Sequence, residues 1–559
     1  MVTRIPFSLR LSGDGPFTGK FAYMTAPALD LSQAAELIAA AQRLLDGAVD
    51  QLAARGGVDE NQTLAYDIAH ASSAIATARF NLDYAAKGST ESNLTAAFLA
   101  SAIADLAGRV IGRESTWGFP ANWYAPFASF VETYRDPKFL GSLADKPGSR
   151  HLDEAFQMVG DTFHRFAEQE VRPHAEHIHR TNGDIPESII SGLAEVGGFG
   201  LSVPEEFGGF ADGSESDYLG MVIATEELTW GGLGIGGSLI TRPEILTRAL
   251  VNGGTEEQKN KWLPKLATAE VLAAVAVTEP DYGSDVAGLT TMATKTEGGW
   301  LINGTKTWCT FGARANVLML LARTDPDRSK THRGLSLFLV EKPVGDGHGF
   351  LFTQDASAEG RSDSNGRLEG RPIDTLGYRG MHSYEINFDN WFVPDANLVG
   401  GEAGLGKGFY FQMAGFENGR IQTAARAVGL MQAAYEAAYD YAQNRVVFGE
   451  PIANYELTKV KLGTMAAIIQ ATRQYSLAVA RLMAKGEGTL EASMAKAYVC
   501  RAAEWVTREA LQIHGGMGYA EEYAVSRYYV DARVLSIFEG ADETLCLKVI
   551  ARRLLDQRA

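Results

Sequence analysis

The stretch WLINGTKTWCTFG (300–312) alternates around an Asn303-Gly304 pair, a strong short-range signal for a hairpin. In a regular strand Trp308 and Thr310, two residues apart, share a face. Working outward, VLMLLART (317–324), LSLFLVEK (335–342) and SYEINFDNWFVP (383–394) also read as strands, so residues 271–400 form a β region. On both sides the apolar period reverts to that of helices. Residues 151–270 are helical, broken by VPEEFGGFADGSES and by the glycines of WGGLGIGGS. Residues 401–559 hold long Ala-rich amphipathic helices, each closed by Gly or a turn. Residues 1–150 begin as Ala/Leu-rich helices and end in a turn-rich linker or docking segment near Arg150. The expectation is an α+β chain, mostly α: a helical extension (1–150), a helical domain (151–270), a middle β domain (271–400) and a C-terminal helical bundle (401–559).

The chain has 559 residues, 46% of them apolar and 21% charged, with a net charge of −17. That composition excludes disordered, collagenous and coiled-coil classes. An acidic balance repels phosphate backbones, which argues against a nucleic-acid partner. Cys309, Cys500 and Cys546 are far apart and odd in number, and read as packed thiols of a reducing compartment. The first residues lack the apolar core of a signal peptide, and no stretch is long enough to span a membrane, so a cytoplasmic location is expected. The extension also echoes the C-terminal helices. Residues 64–112 and 457–514 both run helix, AKG-type turn, polar N-cap region, Ala-rich helix and glycine. Such hairpins look alike in general; the alternative is a degenerate copy of the bundle, structural in role.

Four stretches point to chemistry. AVTEPDYGSDVAGLTT (276–291) puts Thr278 and Ser284 around a turn whose N–H groups and hydroxyls suit a phosphate or a heteroaromatic edge, or simply an ordinary β-turn. NGTKTWCTFG (303–312) offers Trp308 and Thr310 to stack on and hydrogen-bond a flat ring, although a Trp there also suits a core. NRVVFGEPI (444–452) places Arg445 and Phe448 ahead of a Gly-x-Pro turn. QIHGGMGYAEEY (512–523) breaks at Gly515-Gly516, where backbone approaches a ligand closely, and SRYYVDARVLSIFEGADETL (526–545) sets Glu539 after an apolar run. A carboxylate so placed is poorly hydrated and suits a general base, though a cap or ion pair would explain it too.

Taken together and in this order, TEPDYGSD, GTKTWCTFG, RVVFGEP, QIHGGMGY and IFEG resemble the motif series of the acyl-CoA dehydrogenase family, over residues 151–555. The resemblance implies FAD between the β domain and the bundle, with Thr278, Ser284, Trp308 and Thr310 at the flavin. It implies Arg445, Phe448, Gln512 and Gly516 at the FAD of a neighbouring subunit, and hence an obligate oligomer. Glu539 matches the base that removes the α-proton of an acyl-CoA thioester while hydride leaves the β-carbon. Its backbone N–H and a ribityl hydroxyl would hold the thioester oxygen. Some members carry the base one residue before the position of Arg420; here that residue is Gly419. Arg420, Ser284 and Gly540 match positions near the substrate. Val447 and Ala541 depart from the family's Gln or Thr and Thr, each removing one possible cofactor hydrogen bond. The extension and the insert at 344–371 resemble the branch acting on short branched dicarboxylic thioesters. A second carboxylate needs a buried cation, for which Arg242 in GSLITRPEI is the candidate, a surface Arg being the alternative. Electron-transferring flavoprotein is the implied acceptor and a homodimer the implied assembly. Rivals are another short branched or dicarboxylic substrate, an acyl-CoA oxidase, and a DNA-associated alkylation-response flavoprotein, against which the acidic charge and the intact Glu539 both count.

Overall fold

A computed structural model describes residues 29–345, 348–357, 361 and 363–558. The N-terminal segment read above for targeting signals lies outside them, as do parts of the 344–371 insert. Helices of twelve or more residues are α1 (Leu31–Ala54), α2 (Gln62–Phe80), α3 (Ser89–Val110), α4 (Glu154–Phe166), α5 (Ser216–Gly231), α6 (Thr241–Gly253), α7 (Glu256–Ala267), α8 (Gly408–Asn444), α9 (Glu456–Ala484), α10 (Thr489–His514) and α11 (Ala524–Leu535). The strands are β1 (Ala273–Ala276), β2 (Met292–Thr296), β3 (Gly299–Thr310), β4 (Val317–Arg323), β5 (Leu335–Glu341), β6 (Phe350–Gln354), β7 (Gly366–Ile373) and β8 (Ser383–Pro394). The fold is α+β and mostly α.

These eight strands form one curled sheet in the order β1-β4-β2-β3-β8-β7-β6, with β5 paired to β4. Strand β4 shows why its sequence is apolar throughout. Leu318, Leu320 and Ala322 enter a core with Trp300, Ile386 and Trp391. Val317, Met319 and Leu321 enter another with Leu250 of α6 and Trp262 and Leu266 of α7. Both faces are covered, so period-two alternation carries apolar residues to two cores.

The expected hairpin at Asn303-Gly304 is not formed. Strand β3 runs unbroken from Gly299 to Thr310, and the turn from β2 falls at Glu297-Gly298. Gly304 instead marks a register shift against β8, with φ 141°. A β-carbon there would stand 2.7 Å from the Thr291 hydroxyl, so close strand approach explains the glycine. A second shift between Lys306 and Cys309 puts Trp308 in the left-handed region, φ 57°. Trp308 is 55% exposed while Thr310 is buried, so the bulge interrupts simple alternation between them.

Helices α2 and α3 of the extension pack on the bundle. Helix α2 lies against α10, and α3 lies against α9. Leu64, Ile68, Leu94 and Phe98 join Leu462, Met465, Ile469 and Val499 in one continuous core. The Asn81 side chain reaches across to donate to the Ala471 carbonyl at 2.9 Å. The three cysteines are free and buried. Among the described residues no helix is long and apolar enough to cross a membrane.

Candidate active site

Helix α11 ends at Leu535, and the chain turns through Phe538, Glu539 and Gly540 before a short helix, Asp542–Thr544. Glu539 and Gly540 both have positive φ, 55° and 97°. A glutamate held there costs on the order of 1 kcal/mol or more, a strain that marks functional turns. The carboxylate faces inward. Its Oε1 lies 3.8 Å from Nη1 of Arg242, both side chains being buried, and its Oε2 is buried without a hydrogen-bond partner among the described residues. Glu539 is thus neither a helix cap nor a hydrogen-bonded ion pair, and Arg242 is not a surface residue.

Arg242 sits in the first turn of α6, which follows the glycine-rich break at 231–237. Across from it, α8 presents Gly419, and a β-carbon built on Gly419 would come within 2.9 Å of Glu539 Oε2. Arg420, next on that helix, donates to Ser493 at 3.2 Å and keeps a buried Nε unpartnered.

Sequence reading missed Arg426, Glu244 and Arg248. Arg426 is fully buried, donates to Ser238 at 3.1 Å and to Thr423 at 2.6 Å, and lies 4.7 Å over the Phe538 ring beside Glu539. Glu244 is buried and 3.7 Å from Arg248. Burial pushes the Glu244 carboxyl up to about 7, and Glu539 adds to the rise, while Arg248 opposes it. The signal available in sequence was charge within apolar helical faces, as in TRPEILTR and TAARAVG. Buried atoms of Arg242, Glu244, Arg420 and Arg426, groups near or electrostatically coupled to Glu539, lack partners among the described residues, as does Glu539 itself. Such a concentration of unsatisfied buried polar groups calls for a polar ligand.

The TEP turn is built on Glu279. Its carboxylate accepts from Lys306 at 2.9 Å, from the Thr290 N–H and hydroxyl at 2.7 Å each and from the Thr291 N–H at 2.8 Å. Burial alone would raise this carboxyl, but Lys306 and the hydrogen bonds prevail and hold it at about 2. The turn is thereby fixed against β3, where the Thr307 N–H donates to the Thr278 carbonyl at 2.8 Å, immediately before exposed Trp308. Thr310 shares a 3.0 Å hydrogen bond with Ser383. Ser284 accepts from Thr544 at 2.9 Å, joining the turn to the helix after Glu539 and Gly540. Tyr378 packs edge-on against Phe538 at 5.4 Å, and its N–H donates to Asp531 of α11 at 2.7 Å.

Arg445, Phe448, Gln512 and Gly516 form a second, separate group. A two-stranded hairpin, β9 (Val446–Val447) and β10 (Glu450–Pro451), holds Phe448 at its tip, 97% exposed. Tyr441 stacks on His514 at 4.2 Å, which brings the hairpin's base beside the end of α10 where Gln512 and Gly516 are exposed.

Residues 153–270, 274–391 and 406–555 match the family descriptions "Acyl-CoA dehydrogenase, N-terminal domain", "middle domain" and "C-terminal domain". The chain belongs to the acyl-CoA dehydrogenase family. It is 45% identical over 410 residues to a (2S)-methylsuccinyl-CoA dehydrogenase of Cereibacter sphaeroides, covering 73% of this chain and 71% of that one. It is 36% identical to an acyl-CoA dehydrogenase of Bacillus subtilis, over 72% of this chain and 99% of the relative. Among solved structures, butyryl-CoA dehydrogenase from Megasphaera elsdenii superposes with TM-score 0.64 at 30% identity, covering 73% of this chain and all of that chain. The acyl-CoA dehydrogenase family is FAD-dependent, and this chain is an FAD-dependent oxidoreductase. Exposed Trp308 beside the pinned TEP turn is a surface on which a flat ring can stack, and the orphaned polar atoms around Glu539 suit a polar acyl group. The residues present therefore fit the cofactor.

Proposed function

We propose that this acyl-CoA dehydrogenase converts (2S)-methylsuccinyl-CoA to mesaconyl-CoA. The observation that supports the reading most is the placement of buried Arg242, 3.8 Å from Glu539. In methylsuccinyl-CoA the free carboxylate hangs on Cβ, one bond from the carbon whose proton is removed. A cation serving it must then lie within a few ångströms of the base. Butyryl-CoA puts a methyl group there and offers the arginine no second carboxylate beside that of Glu539.

Glu539 takes the α-proton. Its own backbone N–H donates to the thioester oxygen, stabilising the negative charge that develops there, and preorganised donors of this kind are worth about 3 kcal/mol each. Arg242 stands between two carboxylates, that of the base and that of the substrate, and keeps them from repelling one another. FAD, when bound, would supply the acceptor for the hydride that leaves the β-carbon. Thr278, Ser284, Trp308 and Thr310 would hold its ring, and Arg420 and Gly540 would flank the acyl group. Aligning these groups in one cleft removes much of the entropic barrier.

The assembly we assign is a homodimer. Arg445, Phe448, Gln512 and Gly516 would reach the FAD of the partner subunit, which would give exposed Phe448 something to cover. The echo of the bundle in the extension has a geometric counterpart: α2 corresponds to α9 and α3 to α10, while α2 contacts α10 and α3 contacts α9. Reciprocal contacts of that kind are those of a two-fold interface, so the extension occupies the face on which a second pair of bundles would otherwise dock. Electron-transferring flavoprotein is the proposed acceptor, in the cytoplasm, where three buried thiols stay reduced.

The test is steady-state kinetics of wild type and Arg242→Ala with methylsuccinyl-, succinyl-, glutaryl-, isobutyryl- and butyryl-CoA, with peroxide measured alongside. Methylsuccinyl-CoA should be the preferred substrate, with no stoichiometric peroxide. Arg242→Ala should raise its KM at least tenfold and leave that of butyryl-CoA nearly unchanged. An unchanged KM for methylsuccinyl-CoA would remove Arg242 from this role.

A further inference from the structure

The residue three positions after the base is tied to the extension. Asp542 is buried, and its Oδ2 accepts from the Tyr66 hydroxyl at 2.5 Å and faces His70 Nε2 at 3.0 Å. Tyr66 and His70 lie one turn apart on α2, so their side chains share a helix face, and their rings meet edge-on at 4.8 Å. Arg501 of α10 donates to the Tyr66 hydroxyl at 3.0 Å, which leaves the Tyr66 proton for Asp542. The Cys546 thiol, 3.9 Å from Oδ1, completes the surroundings of the carboxylate.

His70, Asp542 and Cys546 also have the convergence expected of metal ligands. Burial pushes the Cys546 thiol well up, so it stays protonated, and Tyr66 already occupies the carboxylate oxygen that faces His70. The cluster therefore reads as a hydrogen-bond network. Burial works against ionised Asp542, but His70 and then Tyr66 prevail and hold its carboxyl below the usual range. Charge-assisted bonds to a buried carboxylate are short and directional.

The loop these bonds anchor is the one that carries Glu539. It is closed by the Asp542 N–H donating to the Ser536 carbonyl at 3.1 Å, and Lys496 donates to the Gly540 carbonyl. The strained φ of Glu539 needs such bracing, because a turn in the left-handed region relaxes unless its ends are held. Beyond the loop, Lys548 and Arg552 both pair with Asp59, so the segment after the base is docked on the extension over several turns.

We propose that Tyr66 and His70 are positioning residues for the reaction: by holding Asp542 they fix the 536–542 loop and aim Glu539 at the substrate's α-carbon. The extension thus takes part in catalysis as well as in assembly. This rests on the reading of Glu539 as the base.

The experiment compares Tyr66→Phe, His70→Leu and His70→Gln in the full-length protein, with kcat expressed per bound FAD, KM for methylsuccinyl-CoA, and the isotope effect of α-deuterated substrate. Misplacing a base by about 1 Å costs up to about 100-fold, and loosening it less, so Tyr66→Phe and His70→Leu should each lower kcat per bound FAD about tenfold. KM should stay within twofold, the isotope effect should grow, and His70→Gln, which keeps a donor, should recover most of the rate. If Tyr66→Phe and His70→Leu keep kcat per bound FAD within twofold, the proposal is overturned, even where they lose stability or flavin. Should His70→Leu yield no flavin-bearing protein, Tyr66→Phe, which removes one oxygen atom, decides alone. Glu539→Gln in parallel separates the two readings: full activity there dismisses the base, whereas its loss beside unaffected Tyr66 and His70 variants dismisses only the positioning.

Discussion

Gly419 and Glu539 meet at one point: a β-carbon on Gly419 would lie 2.9 Å from the Glu539 carboxylate oxygen. The α8 position of Gly419 and the loop position of Glu539, the proposed base, therefore converge on the same place. Glycine at 419 is what leaves room for the Glu539 side chain. The absence of a carboxylate at 419 and the presence of one at 539 are two sides of one arrangement.

That relationship predicts a relocation of the base. Glu539→Gly should lose about 100- to 10,000-fold in kcat, the usual range for a general base. Adding Gly419→Glu to that variant should restore measurable turnover, well above the single variant. Gly419→Ala alone should lower kcat with FAD content unchanged, since the new methyl group displaces the carboxylate. Dye-linked turnover per bound FAD checks all three.

The Glu279–Lys306 pair is a stability element rather than a participant in chemistry. Lys306→Met leaves Glu279 buried without its cation, and breaking a buried pair in this way typically costs about 3–5 kcal/mol. Because the Glu279 carboxyl is held low, at about 2, its contribution is complete above its ordinary value of 4.5 and disappears as pH falls toward 2. Urea denaturation at neutral pH should show the full loss for Lys306→Met.

Glu244 predicts the opposite pH trend. Its carboxyl titrates at about 7 in the folded protein and ordinarily at 4.5, so the folded state binds the extra proton between those values. Stability is favoured below 4.5 and lost as pH rises through 7. Relative to Glu244→Gln, the substrate-free protein should lose on the order of 3 kcal/mol between pH 5 and pH 8. Urea midpoints of both proteins across that range measure it.

The assembly prediction concerns mass. Two chains of 60.3 kDa each should scatter as one particle, because α2 and α3 already cover the bundle face formed by α9 and α10. A light-scattering mass of four chains contradicts this.

Much of this was legible in the sequence, for reasons tied to particular residues. The change of period from WLINGTKTW onward marked the sheet, and the apolar run before Glu539 marked a poorly hydrated carboxylate. The Asn303-Gly304 pair misled because glycine also serves close strand approach, here against Thr291. The bulge beside Trp308 was not legible, because a bulge depends on the partner strand. Arg426 and Glu244 passed unnoticed because each is a single charge on a helix, and only packing shows that it points inward. Asp542 was the least legible of all, since its partners Tyr66 and His70 lie more than 470 residues earlier in the chain.

The central claim is that Glu539 removes the α-proton of methylsuccinyl-CoA. Anaerobic mixing of that thioester with wild type and with Glu539→Gln, followed by the bleaching of the flavin absorbance in a single turnover, tests it most directly. Wild type should bleach rapidly, and Glu539→Gln should bleach at least about 100-fold more slowly while binding FAD normally. Equal bleaching rates in the two proteins would contradict the account.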